Sequence, residues 1–523
     1  MKWGGRSYKM MRWGLAALSL TTALSGCDLA PRYKPEPLKL PAGWGDAKFL
    51  TDARPSDAAL RSDWWVMFGD PQLNELEAQA MRLNPDLQAQ AEAFLQARDA
   101  VAEAKSHLYP QLNGSASAQK NKSSHHRLWR GGTATGPTYM SSEQYSAVAT
   151  WEPDFWSAIR NRTRVAKQRA QAIAADYALA RLSLQAELAS DYVLLRGLDV
   201  QDAVYRDSIG YYKTAVQITK LRLVGSIAPG MDVSRAETQL FTTQAQETDI
   251  LTQREIVEHA IAVLVNKAPA TFHIAPVNKF AFADVEPPVA LPATLLERRP
   301  DVASAERGMA QANRAIGISR AAFYPDVSFN AMTGFMDNGF DLASLSNSMY
   351  QYAVQALLPL FTGGARRAEL QRSWSQYRQQ EDLYRSVVLS AFQEVQDNLS
   401  RTTRLKVQQQ QQSGAVNAAL RTQTMTMALY TGGLTNYLDA VVAQIAALEA
   451  RIKLVQVQTR AFDARVELIR ALGGGWSRSE LPGSHELMPF GVLQYEKLHH
   501  ATPVGGIGTQ TDARSADLTG EKK

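Results

Sequence analysis

Apolar positions recur along this chain in two rhythms, and each rhythm appears twice. Within residues 157–223, Ile173, Tyr177, Leu184, Leu188 and Leu195 advance in steps of four and seven. Within residues 364–430, Leu370, Trp374, Tyr377, Tyr384, Val388 and Val395 step by four, three and seven. Neither stretch contains a proline. Such a pattern, held over many turns, predicts long helices packed side by side as in a coiled coil. The second rhythm is alternation. Leu112, Gly114, Ala116 and Ala118 alternate with Asn113, Ser115, Ser117 and Gln119. Tyr145, Ala147, Ala149 and Trp151 form a second apolar set, and Val327, Phe329 and Ala331 a third. Tyr350, Tyr352, Val354, Ala356 and Leu358 form a fourth. These predict strands at about 111–120, 143–154, 326–336 and 348–359. Segments near ten residues with aromatics at their ends suit outer-membrane barrel strands, although alternation alone also fits the edge of a soluble sheet. The uncharged run 342–365 is long enough for a membrane helix. Its Ser344, Ser346, Asn347, Ser348, Gln351, Gln355 and Pro359 favour strand plus turn.

The chain is an internal duplication. Residues 84–119 and 299–334 align without a gap, with Pro85/Pro300, Asp86/Asp301, Gln96/Gln311, Tyr109/Tyr324 and Pro110/Pro325 identical. Further on, Gly225 and Asp232 correspond to Gly432 and Asp439. Two copies do not make a solenoid. Each copy predicts a helix (85–108; 300–323) ending near Tyr-Pro, a strand pair, and a long helix (157–223; 364–430). A Gly-containing turn and a return helix (231–265; 436–472) follow. A 67-residue helix spans roughly 100 Å at ~1.5 Å per residue. The two shorter helices, stacked end to end, match it. Each unit is therefore a rod with strands at one end and a tight turn at the other. Four strands cannot close a barrel, and open edges in lipid cost several kcal/mol per unpaired group. Two chains would give a barrel filled by its own side chains; three would give 12 strands and room for an opening.

The N-terminus reads as an export signal, residues 1–26. Lys2, Arg6, Lys9 and Arg12 precede an uncharged run from Trp13 to Cys27, too short for a comfortable membrane span. Leu24, Ser25 and Gly26 before Cys27 resemble a bacterial lipoprotein box, which makes Cys27 the acylated first residue, carrying diacylglycerol and an N-acyl chain. Asp28 complicates sorting, because in enteric bacteria an Asp directly after the acylated cysteine tends to retain lipoproteins at the inner membrane. Cys27 is the sole cysteine of 523 residues, which excludes intrachain disulfides and cysteine-cluster zinc sites. The formal charge of +5 owes four positive residues to the signal, so the mature chain is near neutral, with no case for nucleic acid. A mean hydropathy of −0.26 speaks against a polytopic helical membrane protein.

A lipobox followed by Asp28-Leu29-Ala30-Pro31-Arg32-Tyr33-Lys34-Pro35 resembles the mature start of outer-membrane efflux lipoproteins of the OprM/NodT group, relatives of TolC. Trp64-Trp65, Phe68, Asp70-Pro71 and Leu73 resemble that group's signature. Asn84-Pro85-Asp86-Leu87, Leu108-Tyr109-Pro110 and Gly432-Gly433-Leu434-Thr435-Asn436-Tyr437-Leu438-Asp439 fit its repeat motifs. The resemblance covers roughly 27–475. It implies a mainly α, TolC-like fold: a periplasmic α-helical barrel plus four strands per chain in a shared 12-stranded trimeric β-barrel. It implies a homotrimer lipid-anchored in the outer membrane, docked to a periplasmic adaptor and an inner-membrane pump, commonly of the RND type. No enzyme chemistry, cofactor or metal is implied. The boundaries expected are an extended segment 27–70, repeats at 71–265 and 293–472, a linker 266–292 and a tail 473–523, its end disordered.

In such channels the turn end closes the pore with a ring of acids. The matching residues are Asp439 and Asp232, with Tyr437, Tyr430 and Arg235 as further gate candidates. Val442 and Thr435 stand where some relatives carry charge. Asp232 and Asp439 also suit simple helix capping. The basic patch Lys120, Lys122, His125, His126, Arg127 and Arg130 falls in the first inter-strand loop and reads as solvated. Arg160, Arg162, Arg164, Lys167 and Arg169 read as a headgroup-facing helix start. The Gly131–Gly136 run lacks the context of a phosphate loop. Two rivals remain: a periplasmic coiled-coil lipoprotein adaptor or scaffold without a pore, and a secreted hydrolase, for which no motif speaks.

Overall fold

The structure, a computed structural model, describes residues 27–34, 62–122, 124, 139–280, 282–283, 298–337, 344–488 and 490–491. The signal, with Leu24, Ser25 and Gly26, lies outside them. So do most of the basic loop, the Gly131–Gly136 run and the expected disorder beyond residue 500.

Copy one consists of α1 (Pro71–Leu83), α2 (Pro85–Ser106), β1 (Gln111–Lys122), β2 (Tyr139–Trp151), α3 (Ala158–Val224) and α4 (Gly230–Leu264). Copy two consists of α5 (Pro300–Ala321), β3 (Asp326–Asp337), β4 (Ser348–Leu357), α6 (Ala365–Thr431) and α7 (Tyr437–Ala471). Asp70 and Asn84 cap α1 and α2, each followed by a proline at the first helical position, where its missing N–H is harmless. Both long helices run 67 residues, and both return helices 35.

The four strands form one antiparallel sheet in the order β1-β2-β3-β4, so β2 and β3 join the two copies. Its register settles the alternation. Residues directly opposite share a face. Leu112 faces Ala149, Ala149 faces Ala331, and Ala331 faces Tyr352. The four apolar sets therefore lie on one continuous face. Asn113, Ser115, Ser117 and Gln119 fall on the other, where Ser115 and Ser146 share a hydrogen bond of 2.8 Å. On the apolar face Leu112, Tyr350, Tyr352 and Val354 are all strongly exposed in the single chain.

The helical core follows the four-and-seven steps. Leu188, Leu195, Val388 and Val395 are fully buried, joined by Tyr192, Tyr384, Ile261, Met309, Val466 and Ile469. Full burial of each such side chain stabilises by about 1.5–3 kcal/mol. The Trp-Trp…Phe…Asp-Pro…Leu signature proves to be a packing and capping device. Trp64 and Phe68 enter this core, and the Asp70 cap also accepts a bond from the Tyr192 hydroxyl at 2.8 Å. Gly197 lets α3 approach α7, since a Cβ there would lie 2.3 Å from the Thr459 hydroxyl.

Two expectations need correction. The tail expected from residue 473 is packed at its start. Gly473, Gly474 and Gly475 all have positive φ and turn the chain back. Trp476 then packs with Ala175, Ala178 and Ala303, and Leu487 with Phe94, Leu95 and Val101. Two isolated anchors carry no periodicity, so the pattern missed them. The basic start of α3 also pairs within the chain. Asp154 accepts from the Arg160 side chain at 3.1 Å and from the Ile159 and Arg160 amides, while Arg164 pairs with Asp28. A carboxylate at a helix N-terminus is the stronger local partner.

Asp191 on α3 offers a test of helical packing. Burial first, then the charges of Glu187 and Asp463, push its carboxyl up to about 6. The folded state thus binds a proton that the unfolded chain gives up near 3.8. The stabilising effect of that proton is full below the unfolded value and is lost as pH rises through 6. Asp191→Asn should therefore raise the melting temperature more at pH 7.5 than at pH 4. A shift independent of pH would refute the acid cluster.

Candidate functional site

The two Gly-containing turns meet at the end of the rod opposite the sheet. Gly433 has positive φ, and the Leu434 amide reaches back to the Leu429 carbonyl at 2.9 Å, closing α6. The N-cap of α7 is Asn436, whose side chain accepts from the Asp439 amide at 3.2 Å. Asp439 itself is exposed, and its carboxylate accepts from the Thr435 hydroxyl. Thr435 thus holds the Asp439 side chain through its hydroxyl. On α4 the N-cap is Pro229, without a side-chain cap.

Asp232 has a different setting. It is buried, 3.8 Å from Arg235 within α4. Tyr430 and Tyr437 are also buried, their ring centroids 5.0 Å apart. Burial and then the neighbouring Asp232 charge raise Tyr430, against the opposing pull of Arg222. Burial and then Tyr430 raise Tyr437 as well, so both phenols stay neutral at ordinary pH. Four of the five predicted residues, Asp232, Arg235, Tyr430 and Tyr437, therefore belong to one cluster within the chain. Asp439 stands at its exposed margin on the first turn of α7.

Sequence reasoning missed Arg222, which locks the two turns together. Its guanidinium lies 4.7 Å from the Tyr430 ring centroid and donates to the Tyr430 and Thr431 carbonyls at 2.9 and 3.1 Å. A cation over a ring and at a helix C-terminus is favoured on both counts. The available signal was the contrast between copies: Arg222 corresponds to Leu429. Around the turns Val224, Ile227, Met231, Leu434, Leu438 and Val442 are exposed. Cys27, at the opposite, strand-proximal end, is a free and exposed thiol.

Among the described residues, no helix is long and apolar enough to cross a membrane, and no cluster suited to a metal ion occurs. The sequence profile described as "Outer membrane efflux protein" matches residues 76–267 and 291–474, one match per copy. The chain belongs to the outer membrane efflux protein family. The family is one of channels and not of enzymes, and this outer membrane efflux protein is an efflux channel rather than a poreless adaptor or scaffold. It is 29% identical to the toluene efflux pump outer membrane protein TtgF of Pseudomonas putida, over 89% of this chain and 98% of that one. It is 26% identical to the pyoverdine export outer membrane protein OpmQ of Pseudomonas aeruginosa, over 88% and 97%. Its fold matches the outer-membrane channel OprN with a TM-score of 0.79 at 24% identity, over 86% of this chain and 100% of that one. The Vibrio cholerae outer membrane protein VceC matches with a TM-score of 0.73 at 26% identity, over 79% and 99%. The family places this efflux protein in the outer membrane.

Proposed function

We propose that three copies close one 12-stranded barrel and one helical barrel, anchored by lipid on Cys27. The conduit receives substrate from a periplasmic adaptor and an inner-membrane pump of the RND type, without cofactor or chemical change. The observation that carries this reading is the four-stranded sheet with one unbroken apolar face and two edge strands, β1 and β4. Closure in lipid requires each β4 to pair with a β1 of another chain. Relatives named for toluene and pyoverdine carry chemically unlike loads, as suits a passive wall.

At the turn end, Asp439 is the exposed acid and forms the gate ring around the axis. Asp232, with Arg235, Tyr430 and Tyr437, supports the gate from inside each chain, and Arg222 bolts the two turns together.

Membrane fractionation, an unheated gel and radioactive palmitate labelling test the assembly. The expected result is a labelled, heat-modifiable trimer in the outer membrane, with label lost in Cys27→Ser. An unlabelled monomer recovered from inner membranes would overturn it.

A further inference from the structure

The segment that follows Cys27 is docked, and the docking is specific. Leu29 offers its carbonyl to Arg320 at 3.1 Å, and Pro31 offers its carbonyl to Asn313 at 2.9 Å. The Tyr33 hydroxyl donates to Glu306 Oε1 at 2.7 Å. Residues 306, 313, 317 and 320 share one face of α5, so the segment runs along that helix toward the turn end. It leaves Cys27 beside the sheet. Gly317 makes the close approach possible. A Cβ there would sit 2.8 Å from the Ala30 Cβ, 2.8 Å from Asn161 Nδ2 and 2.9 Å from the Ala30 amide nitrogen.

Asp28 is the centre of this cradle. Its Oδ1 accepts from the Ala30 amide at 3.1 Å and from Asn161 Nδ2 at 3.0 Å. Its Oδ2 accepts from Arg164 Nη1 at 2.5 Å and from Arg314 Nη1 at 3.0 Å. An ionised carboxylate has about four lone-pair sites. Four donors from three separate stretches of chain fill them. Partial burial alone would raise this carboxyl, but the Asn161 and Ala30 bonds and the Arg164 charge hold it below its ordinary value. It therefore stays charged and engaged.

A carboxylate one residue from an acyl anchor lies at headgroup level. Left free, it can pair with the ammonium groups of the inner-membrane phospholipids among which a lipoprotein is first anchored. We propose that the Asn161–Arg164–Arg314 cradle is a sorting determinant: folding withdraws the Asp28 carboxylate from the lipid surface and cancels its retention signal. The cradle couples release toward the outer membrane to correct assembly of α3 against α5. The inference rests on acylation of Cys27.

The experiment uses the full chain in an enteric host, where a control lipoprotein with Asp after its cysteine stays in the inner membrane. Each variant is labelled with radioactive palmitate and fractionated. The wild type is expected in the outer membrane. Arg164→Ala with Arg314→Ala should move most of the chain to the inner membrane, and adding Asp28→Ser should return it. Gly317→Val, which removes no charge but expels the segment, should behave likewise and be rescued by the same Asp28→Ser. Labelled arginine variants that remain in the outer membrane would overturn the inference alone. Mislocalisation that Asp28→Ser fails to rescue would also overturn it, because misfolding would then be the cause. Absence of label in the wild type would remove the lipoprotein reading together with this one.

Discussion

Asp199→Ala is expected to destabilise the folded chain by about 3–5 kcal/mol, the usual cost of stripping one partner from a buried ion pair. Asp199 is buried on α3 between two arginines. Its Oδ2 accepts from Arg196 Nη1 at 2.9 Å and from the Val277 amide at 3.2 Å, and its Oδ1 accepts from Arg254 Nε at 2.6 Å. Arg196 also donates to Gln72 on α1, to the Tyr192 hydroxyl and to the Ala275 carbonyl. Arg254 donates to the Ile274 carbonyl, and Glu258 accepts from the Ile274 amide. One carboxylate thus ties the long helix, the return helix, α1 and the start of the linker into a single girdle. Its removal leaves two guanidiniums in a site too dry to solvate them. Loss of helical circular dichroism on heating reads the effect, with Asp199→Asn as a control of similar shape. A melting temperature equal to the wild type would mean that Glu258 alone balances both cations.

Asp439→Ala is expected to weaken cation selectivity in planar bilayers and to change the resting conductance. Carboxylates around one axis repel one another and draw cations; a single pair at ~4 Å is worth about 4 kcal/mol at an effective dielectric near 20. Asp439 is free to act on a pore because Asn436, not Asp439, performs the cap. Asp439→Asn separates charge from shape, since an amide oxygen can still accept from Thr435. Selectivity should fall in both variants, and unchanged conductance and selectivity would remove Asp439 from the gate.

The reach of sequence reasoning followed the range of the interactions involved. Helix ends at Tyr109-Pro110 and Tyr324-Pro325, and the turns after Val224 and Thr431, are local events. They came within about two residues of the observed bounds. Sheet faces were legible because a period of two leaves only two choices per strand, and the register joined all four choices. The docking of Asp28 on Arg164 and Arg314 was not legible, because it joins residues far apart in sequence and leaves no periodic trace. Trp476 and Leu487 were hidden for the same reason. At the turn end the candidate residues were found. Their division of labour was not, because burial separates Asp232 from Asp439 while the sequence presents them as equivalents.

That division has a bearing on how the duplication has been used. The seam between copies inside one chain, β2 against β3, joins copy one to copy two. In a three-chain barrel each seam between chains, β4 against β1, does so as well. Six hairpins then circle the axis in alternation. A wall of six identical units would repeat every substitution six times, so any residue at the tip would have to serve as bolt and ring at once. Duplication halves that multiplicity. Copy one could keep Arg222 and bury Asp232 while copy two took Leu429 and exposed Asp439. Broken symmetry, more than added length, is what the second copy contributes.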